Sequence, residues 1–342
     1  SVPAAEGGEA VTRTFAVNVV LAACGLAVAL GGIMVGEFGL GLHDVLAALT
    51  GQSTGMAHTV VVEWRLPRVA TALAVGAALG FAGAIFQTIT RNPLASPDIL
   101  GVVSGASAFA LTALLAGGGT GVLLSALGVP LSAFVGGLAV SLAMWWLSRA
   151  GGLGSFQLIF AGIILNALAV AYNSFLLVRA DYRDVGKAQA WVTGSVGSSG
   201  WGDAAAVLVA LALVVPLLRW ASFQLEALSL GDDTAAGLGV DPRRTQLVLM
   251  VLAVALTSTA VAASGPIAFV AFVAPHVGRR LANAPTPPLG TAMIAGALIV
   301  AGADLAVRTV VPGDLPVGVA TSAFGGAALL YALMRATRKV TL

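Results

Sequence analysis

From Val69 to Ile85 the chain carries no charge and a single hydroxyl, Thr71, while arginines stand before it at positions 65 and 68 and after it at position 91. Such a run has few places to go. As a helix rising about 1.5 Å per residue it covers most of the hydrocarbon thickness of a bilayer, about 30 Å. Gly76, Gly80 and Gly83 fall on one side of that helix, leaving a face of nearly bare backbone. Small faces allow membrane helices to approach closely. Two readings follow: a tightly packed helix, or a helix at the centre of a bundle that also lines a path.

The run is one of many. The 342 residues are 58% hydrophobic and only 9% charged, against about 25% charged in a soluble domain. An all-α polytopic membrane protein with about ten crossings is expected. The apolar runs predict helices over 14–35, 66–88, 99–116, 123–147, 156–177, 204–220, 245–263, 266–281, 289–310 and 317–334. Residues 1–13 read as a polar, irregular cytoplasmic tail, and 14–342 as a single transmembrane domain. The lone cysteine, Cys24, excludes an intrachain disulfide and a cysteine metal cluster. Leu21-Ala22-Ala23-Cys24-Gly25 has the look of a lipoprotein cleavage box, but the apolar run continues to Val35, which favours an uncleaved first helix.

Alternating the crossings from a cytoplasmic N-terminus divides the basic residues unevenly. Arg13, Arg91, Arg149, Arg219, Arg243, Arg244, Arg279, Arg280, Arg335, Arg338 and Lys339 fall inside, and Arg65, Arg68, Arg179, Arg183, Lys187 and Arg308 outside. Cytoplasmic loops carry the basic excess, so both termini are expected in the cytoplasm. The outer arginines run against that bias. They read either as anchors at the membrane interface or as a docking surface for carboxylates, which arginine pairs bidentately. Asp304 and Arg308 are four residues apart with the acid first, the order that favours an ion pair on a helix.

The chemistry of catalysis is not visible. His43, His58 and His276 lack metal-ligand spacing, and there is no nucleophile elbow. No phosphate-binding loop occurs, because Gly186-Lys187 is followed by Ala188. No enzyme, resident cofactor or nucleic-acid partner is expected. Buried carboxylates of the kind that drive proton-coupled carriers are scarce. The polar corner Arg91-Asn92-Pro93-Leu94 should end the second helix, with Asn92 capping it. Residues 221–243 read as two short helices, with Asp232, Asp233 or Thr234 capping the second; by pattern this is either an ordinary surface loop or a docking element. Pro266 reads as a helix start and Pro275 as a kink. His276 reads as a locally hydrogen-bonded residue.

Several strings, taken together and in order, resemble the FecCD-like permeases of type II ABC importers for iron-siderophores, haem and cobalamin. They are Arg65-Leu66-Pro67-Arg68, the corner from Asn92 to Gly105, Trp191-Val192-Thr193-Gly194-Ser195, Gly231-Asp232-Asp233 to Val240, Gly265-Pro266-Ile267-Ala268-Phe269-Val270 to His276, and Asp314-Leu315-Pro316-Val317-Gly318. The resemblance implies a type II importer permease fold in the bacterial inner membrane. It implies a second permease copy or a related permease as partner, ATPase subunits that bind ATP and Mg, and a periplasmic or lipid-anchored binding protein. It assigns Arg65, Arg68 and Arg308 to binding-protein docking. Asp232, Asp233, Thr234, Ala235, Ala236, Leu238, Gly239 and Val240 go to ATPase coupling, and Asn92, Leu94, Ser155 and Phe156 to constrictions of the path. The sequence departs from the pattern at Ala271-Phe272, Asn283 and Asp314. The rival reading is a secondary transporter or channel acting without an ATPase.

Overall fold

The computed structural model describes residues 4–36, 38–52, 55–115, 120–149, 155–310 and 315–340. All regular elements among them are helical: α1 (Ala4–Met34), α2 (Leu42–Leu49), α3 (Met56–His58), α4 (Leu66–Ile89), α5 (Val102–Leu115), α6 (Thr120–Arg149), α7 (Ser155–Arg179), α8 (Tyr182–Val192), α9 (Trp201–Val214), α10 (Leu218–Ser229), α11 (Asp232–Gly237), α12 (Pro242–Ser264), α13 (Val270–Ala282), α14 (Leu289–Val310) and α15 (Val317–Val340). A π-helical turn, Thr59–Arg65, joins α3 to α4, and a 3-10 turn at Val215–Leu217 joins α9 to α10 around Pro216. Among the described residues, seven spans are long and apolar enough to cross a membrane. The other three expected runs are the shorter helix α5, the apolar part of α15, and α13.

Four boundaries differ from expectation. First, α1 begins at Ala4, so the described part of the 1–13 tail is helical; Ala4, Ala5, Glu6, Glu9 and Ala10 are good helix formers. Second, the polar segment after α7 holds the amphipathic α8. Third, α6 breaks at Gly128, whose φ is 77°, two residues before Pro130. Fourth, α13 starts at Val270 rather than at Pro266. Gly265, at φ 67°, ends α12, and the chain stays irregular to Phe269.

The bundle is built around α4, which is buried along nearly its whole length from Pro67 to Ile89. Its glycine face explains how. A Cβ on Gly76 would overlap the Gly296 carbonyl of α14, and one on Gly296 would overlap the Gly76 carbonyl in return. Gly80 lies equally close to the Ala292 carbonyl, and Gly83 to the Ala271 carbonyl of α13. The small face is thus consumed by helix packing, and α4 is central without presenting that face to a path. Phe81, Ile85 and Phe86, fully buried, fill the core on its other sides.

Two helix ends show how the sequence departures are absorbed. At the end of α13, Asn283 sits in the left-handed region at φ 53°, with Ala284 N–H donating to the Arg279 carbonyl and Asn283 N–H to that of Arg280. Asparagine tolerates this conformation, which glycine usually occupies. Ala271 meets Gly83 through its backbone, so its side chain does not oppose the contact.

Gly83→Leu should lose about 3 kcal/mol or more, the upper range of overpacking, because the clash is with backbone. Gly290→Ala, which meets open space, should be neutral. Thermal midpoints of the detergent-purified proteins test this; a stable Gly83→Leu protein would contradict the packing.

Candidate functional site

Two polar clusters sit at opposite ends of α4. The first begins with the π-helical turn, which aims Arg65 inward. Its Nη1 donates to the carbonyls of Ile33 (2.9 Å) and Met34 (3.0 Å), and Nη2 to that of Phe38 (2.6 Å). Only 6% of Arg65 is exposed. One turn on, Arg68 donates through Nε and Nη2 to Asp304 Oδ1, at 3.0 and 2.8 Å. The second carboxylate oxygen meets Arg308 Nη2 at 2.8 Å, and Arg308 Nη1 donates to the carbonyls of Gly32 and Val35. Asp304 is 1% exposed. The C-terminal end of α1, the start of α4 and the end of α14 are thereby tied in one knot. The expected Asp304–Arg308 pair is present, with Arg68 as a third member that sequence spacing could not reveal.

The three arginines expected to dock a partner are therefore already engaged inside the chain. Arg65 is spent on main-chain carbonyls. Arg68 and Arg308 keep a partly exposed edge. Against their three positive charges the cluster sets one carboxylate, Asp304, so it remains net positive.

Beside the knot, three of the sequence strings converge. Gly194, at φ 69°, would overlap the Pro266 carbonyl if it carried a Cβ, and Gly318 would overlap that of Thr193. Ser195 N–H donates to the Ser264 carbonyl at 2.7 Å, and Gly318 N–H to that of Gly194 at 3.0 Å. The glycines are required because backbone meets backbone. Asp314 lies outside the described residues.

The second cluster lies at the far end of α4. Arg91 takes the left-handed conformation at φ 49°. Asn92 N–H donates to the Gln87 carbonyl and Arg91 N–H to that of Thr88, which closes α4 in a Schellman motif. Asn92 Oδ1 accepts the Leu94 N–H at 2.9 Å, so it caps the turn that follows rather than the helix. Leu94 is exposed. Ser155 and Phe156 open α7, but their side chains lie outside the described residues.

Arg91 also reaches the surface loop. Its Nη2 meets Asp232 Oδ1 at 2.6 Å and the Leu228 carbonyl at 3.3 Å. Both partners are about half exposed, so the pair contributes little stability and mainly sets position. The loop forms the two expected short helices, α10 and α11. The expected side-chain cap is absent: the N-cap of α11 is Gly231, at φ 105°, and Asp232 and Asp233 occupy the first turn. The positive φ explains this, since glycine adopts it without strain. A second Schellman motif at Gly239 turns Val240 inward; with Ala235 it is buried in the main core. Asp233, Thr234, Ala236, Leu238 and Gly239 remain exposed, as does Leu230. The result is a rigid knob with apolar tips. Asp241, not singled out by its sequence, caps α12 by accepting from Arg243 and Arg244 N–H.

One residue pair escaped the sequence reading altogether. Asp98 Oδ2 accepts the N–H of Phe269, itself left-handed at φ 66°, at 2.9 Å. Burial pushes the Asp98 carboxyl up to about 6, opposed by the amides of Phe269 and of Asp98 itself. His276 is local as expected: its Nδ1 lies 3.0 Å from the Phe272 carbonyl, and its ring packs on Phe272. Among the described residues no group of three or more His, Cys, Asp or Glu could hold a metal ion.

Residues 19–335 match the family model of the FecCD transport family. The chain is 41% identical over 311 residues to the ferric enterobactin transport system permease protein FepG of Escherichia coli (strain K12), covering 90% of this chain and 92% of the relative. It is 38% identical over 312 residues to the achromobactin transport system permease protein CbrC of Dickeya dadantii (strain 3937), covering 91% and 88%. A solved structure described as an inward-facing conformation of a metal-chelate type ABC transporter superposes with a TM-score of 0.78 at 26% identity, covering 93% of this chain and 98% of the other.

Replacing Asp304 by Asn leaves Arg68 and Arg308 facing each other without a counter-charge. A loss of about 3 kcal/mol is expected, the lower end for breaking a buried pair, and is read as a drop in the thermal midpoint. An unchanged midpoint would show that the knot does not hold α1, α4 and α14 together.

Proposed function

The chain belongs to the FecCD transport family, and from that premise we propose that it is the membrane permease subunit of an ATP-driven importer for an iron-siderophore complex or a related chelate, haem or cobalamin. A second copy, or a related permease, completes the pathway. Separate ATPase subunits bind ATP and Mg, and a periplasmic or lipid-anchored binding protein delivers the cargo. The protein sits in the bacterial inner membrane with both termini in the cytoplasm, the orientation favoured by its basic residues.

The observation that carries this reading is the α10–α11 knob. A loop anchored from below by Ala235 and Val240, and from the side by Arg91, is joined directly to the bundle. Its exposed Leu230 and Leu238 offer apolar tips to a partner. That suits an element through which another subunit pushes on the membrane helices, and it is unexplained in a carrier working alone. Asn92 and Leu94 stand beside it at the same end, where a constriction would open and close with the knob; Ser155 and Phe156 belong to the same proposal. At the other end, docking would use the exposed edges of Arg68 and Arg308, with Arg65 holding the loop behind them. Partner carboxylates there would share guanidinium groups already engaged with Asp304.

The test uses the permease co-expressed with its ATPase and binding protein, reconstituted into vesicles and supplied with a ferric catecholate siderophore. ATP-dependent accumulation is expected. Ala236→Pro breaks α11 at an exposed position; it should abolish co-purification of the ATPase and lower uptake by about ten-fold or more, while the permease remains monodisperse. Uptake without an ATPase, or normal coupling in Ala236→Pro, would contradict the proposal.

A further inference from the structure

The contact between Asp98 and Phe269 joins the corner after α4 to the start of α13. Asp98 belongs to the corner from Arg91 to Gly101. That corner is held at its first residue by the knob, through the Arg91–Asp232 pair. It is held at its last by α7: Gly101, at φ 86°, packs on the backbone of Gly162 and Asn166, and Ser104 hydrogen-bonds to Asn166. Phe269 lies 171 residues further along, at the broken start of α13.

Phe269 has no obvious reason to adopt φ 66°. A bulky residue there is strained by about 1–3 kcal/mol and keeps that conformation only where its surroundings enforce it. The Asp98 carboxylate is the group that does so, fixing the amide at the N-terminal end of a 13-residue helix. A carboxylate is favoured there by the helix dipole as well as by the hydrogen bond. The strained conformation has a consequence on the other side. It drives the Phe269 side chain against Gly325 of α15, where a Cβ would overlap it. The ring also lines an apolar cavity of about 250 Å3 between α13, α14 and α15, shared with Val273, Ile299, Thr321 and Phe324. The α15 helix also packs on α14 and is held at its start, where Gly318 meets Gly194, and Phe324 is 70% exposed at the open side of the cavity.

We propose that Asp98 is a positioning residue for transport: by holding Phe269 it sets where α15 stands, and it passes movement of the α10–α11 knob, received through Arg91, to α15. This inference rests on the reading of the chain as an ATP-driven permease. Its elements form one contiguous chain of contacts, Asp232 to Arg91, the corner to Asp98, Phe269 to Gly325. The carboxylate acts through Phe269 and needs no contact with cargo.

The experiment measures ATP hydrolysis and uptake in parallel on the full complex in vesicles, with the same ferric catecholate probe. Asp98→Leu removes the acceptor, and uptake should fall by about ten-fold, as expected for losing a hydrogen bond to a charged group. Hydrolysis should stay within about two-fold, because the knob itself is intact. Asp98→Asn keeps an acceptor oxygen and should restore uptake to within about two-fold of the unmodified protein. Phe269→Gly relaxes the left-handed backbone and removes the ring, so it should fold and should reproduce the uncoupled behaviour even if Asp98→Leu does not assemble. Normal uptake in Phe269→Gly, or a parallel loss of hydrolysis and uptake in each variant, would overturn the inference. Failure of the unmodified complex to accumulate the probe would instead overturn the transport reading and the inference with it.

Discussion

Backbone contact between α4 and its neighbours α13 and α14 is the constraint on which the rest of the structure depends. In a bilayer, helix association gains little from burying apolar surface, because lipid is as apolar as leucine. Close approach must supply the attraction, and Gly76, Gly80, Gly83 and Gly296 permit it. With α4 pinned along its length, its two ends become fixed points. One end carries Arg65 and Arg68 into the Asp304 knot, and the other carries Arg91 to the surface loop.

The two ends differ in kind. Asp304 and its arginines are mostly buried and tied by hydrogen bonds to each other and to main-chain carbonyls; removing a member costs far more than the intact group contributes. The Arg91–Asp232 pair is exposed and energetically slight, and the loop it steadies is attached to the core by apolar side chains, Ala221, Leu225, Ala227 and Leu228 of α10 with Ala235 and Val240 beyond it. Arg65, Arg68 and Arg308, read from the sequence either as interface anchors or as a docking surface, are largely occupied within the chain.

How much was legible in the sequence depended on range. Apolar runs located a helix at each of the ten expected positions, seven of them long and apolar enough to cross a membrane among the described residues, because the signal for each lies within its own residues. The glycine face of α4 was visible, but not whether it met a helix or a path, since spacing does not name a neighbour. The start of α13 was misplaced for a related reason. Pro266 looks like a first-turn proline, whereas the group that starts the helix is the carboxylate of Asp98, far away in the chain. The strings around Gly194, Gly265 and Gly318 were each recognisable as parts of a family pattern. Their meeting at one point, backbone against backbone, is a property of the fold alone. The residues of the knob were identified correctly as a short helix, yet its cap was not, because Asp232 is drawn to Arg91 and glycine supplies the turn.

The central claim is that the α10–α11 knob and the arginine knot face opposite sides of the membrane, with the knob on the cytoplasmic, ATP-bearing side. Single cysteines placed at Asp233 and at Lys187, in a background with Cys24 replaced by Ala, test this in intact cells with a membrane-impermeant maleimide. Both positions are exposed in the structure. The account predicts that Lys187→Cys is labelled from outside and that Asp233→Cys is labelled only after the membrane is opened. Labelling of Asp233→Cys from outside, with Lys187→Cys protected, would contradict it.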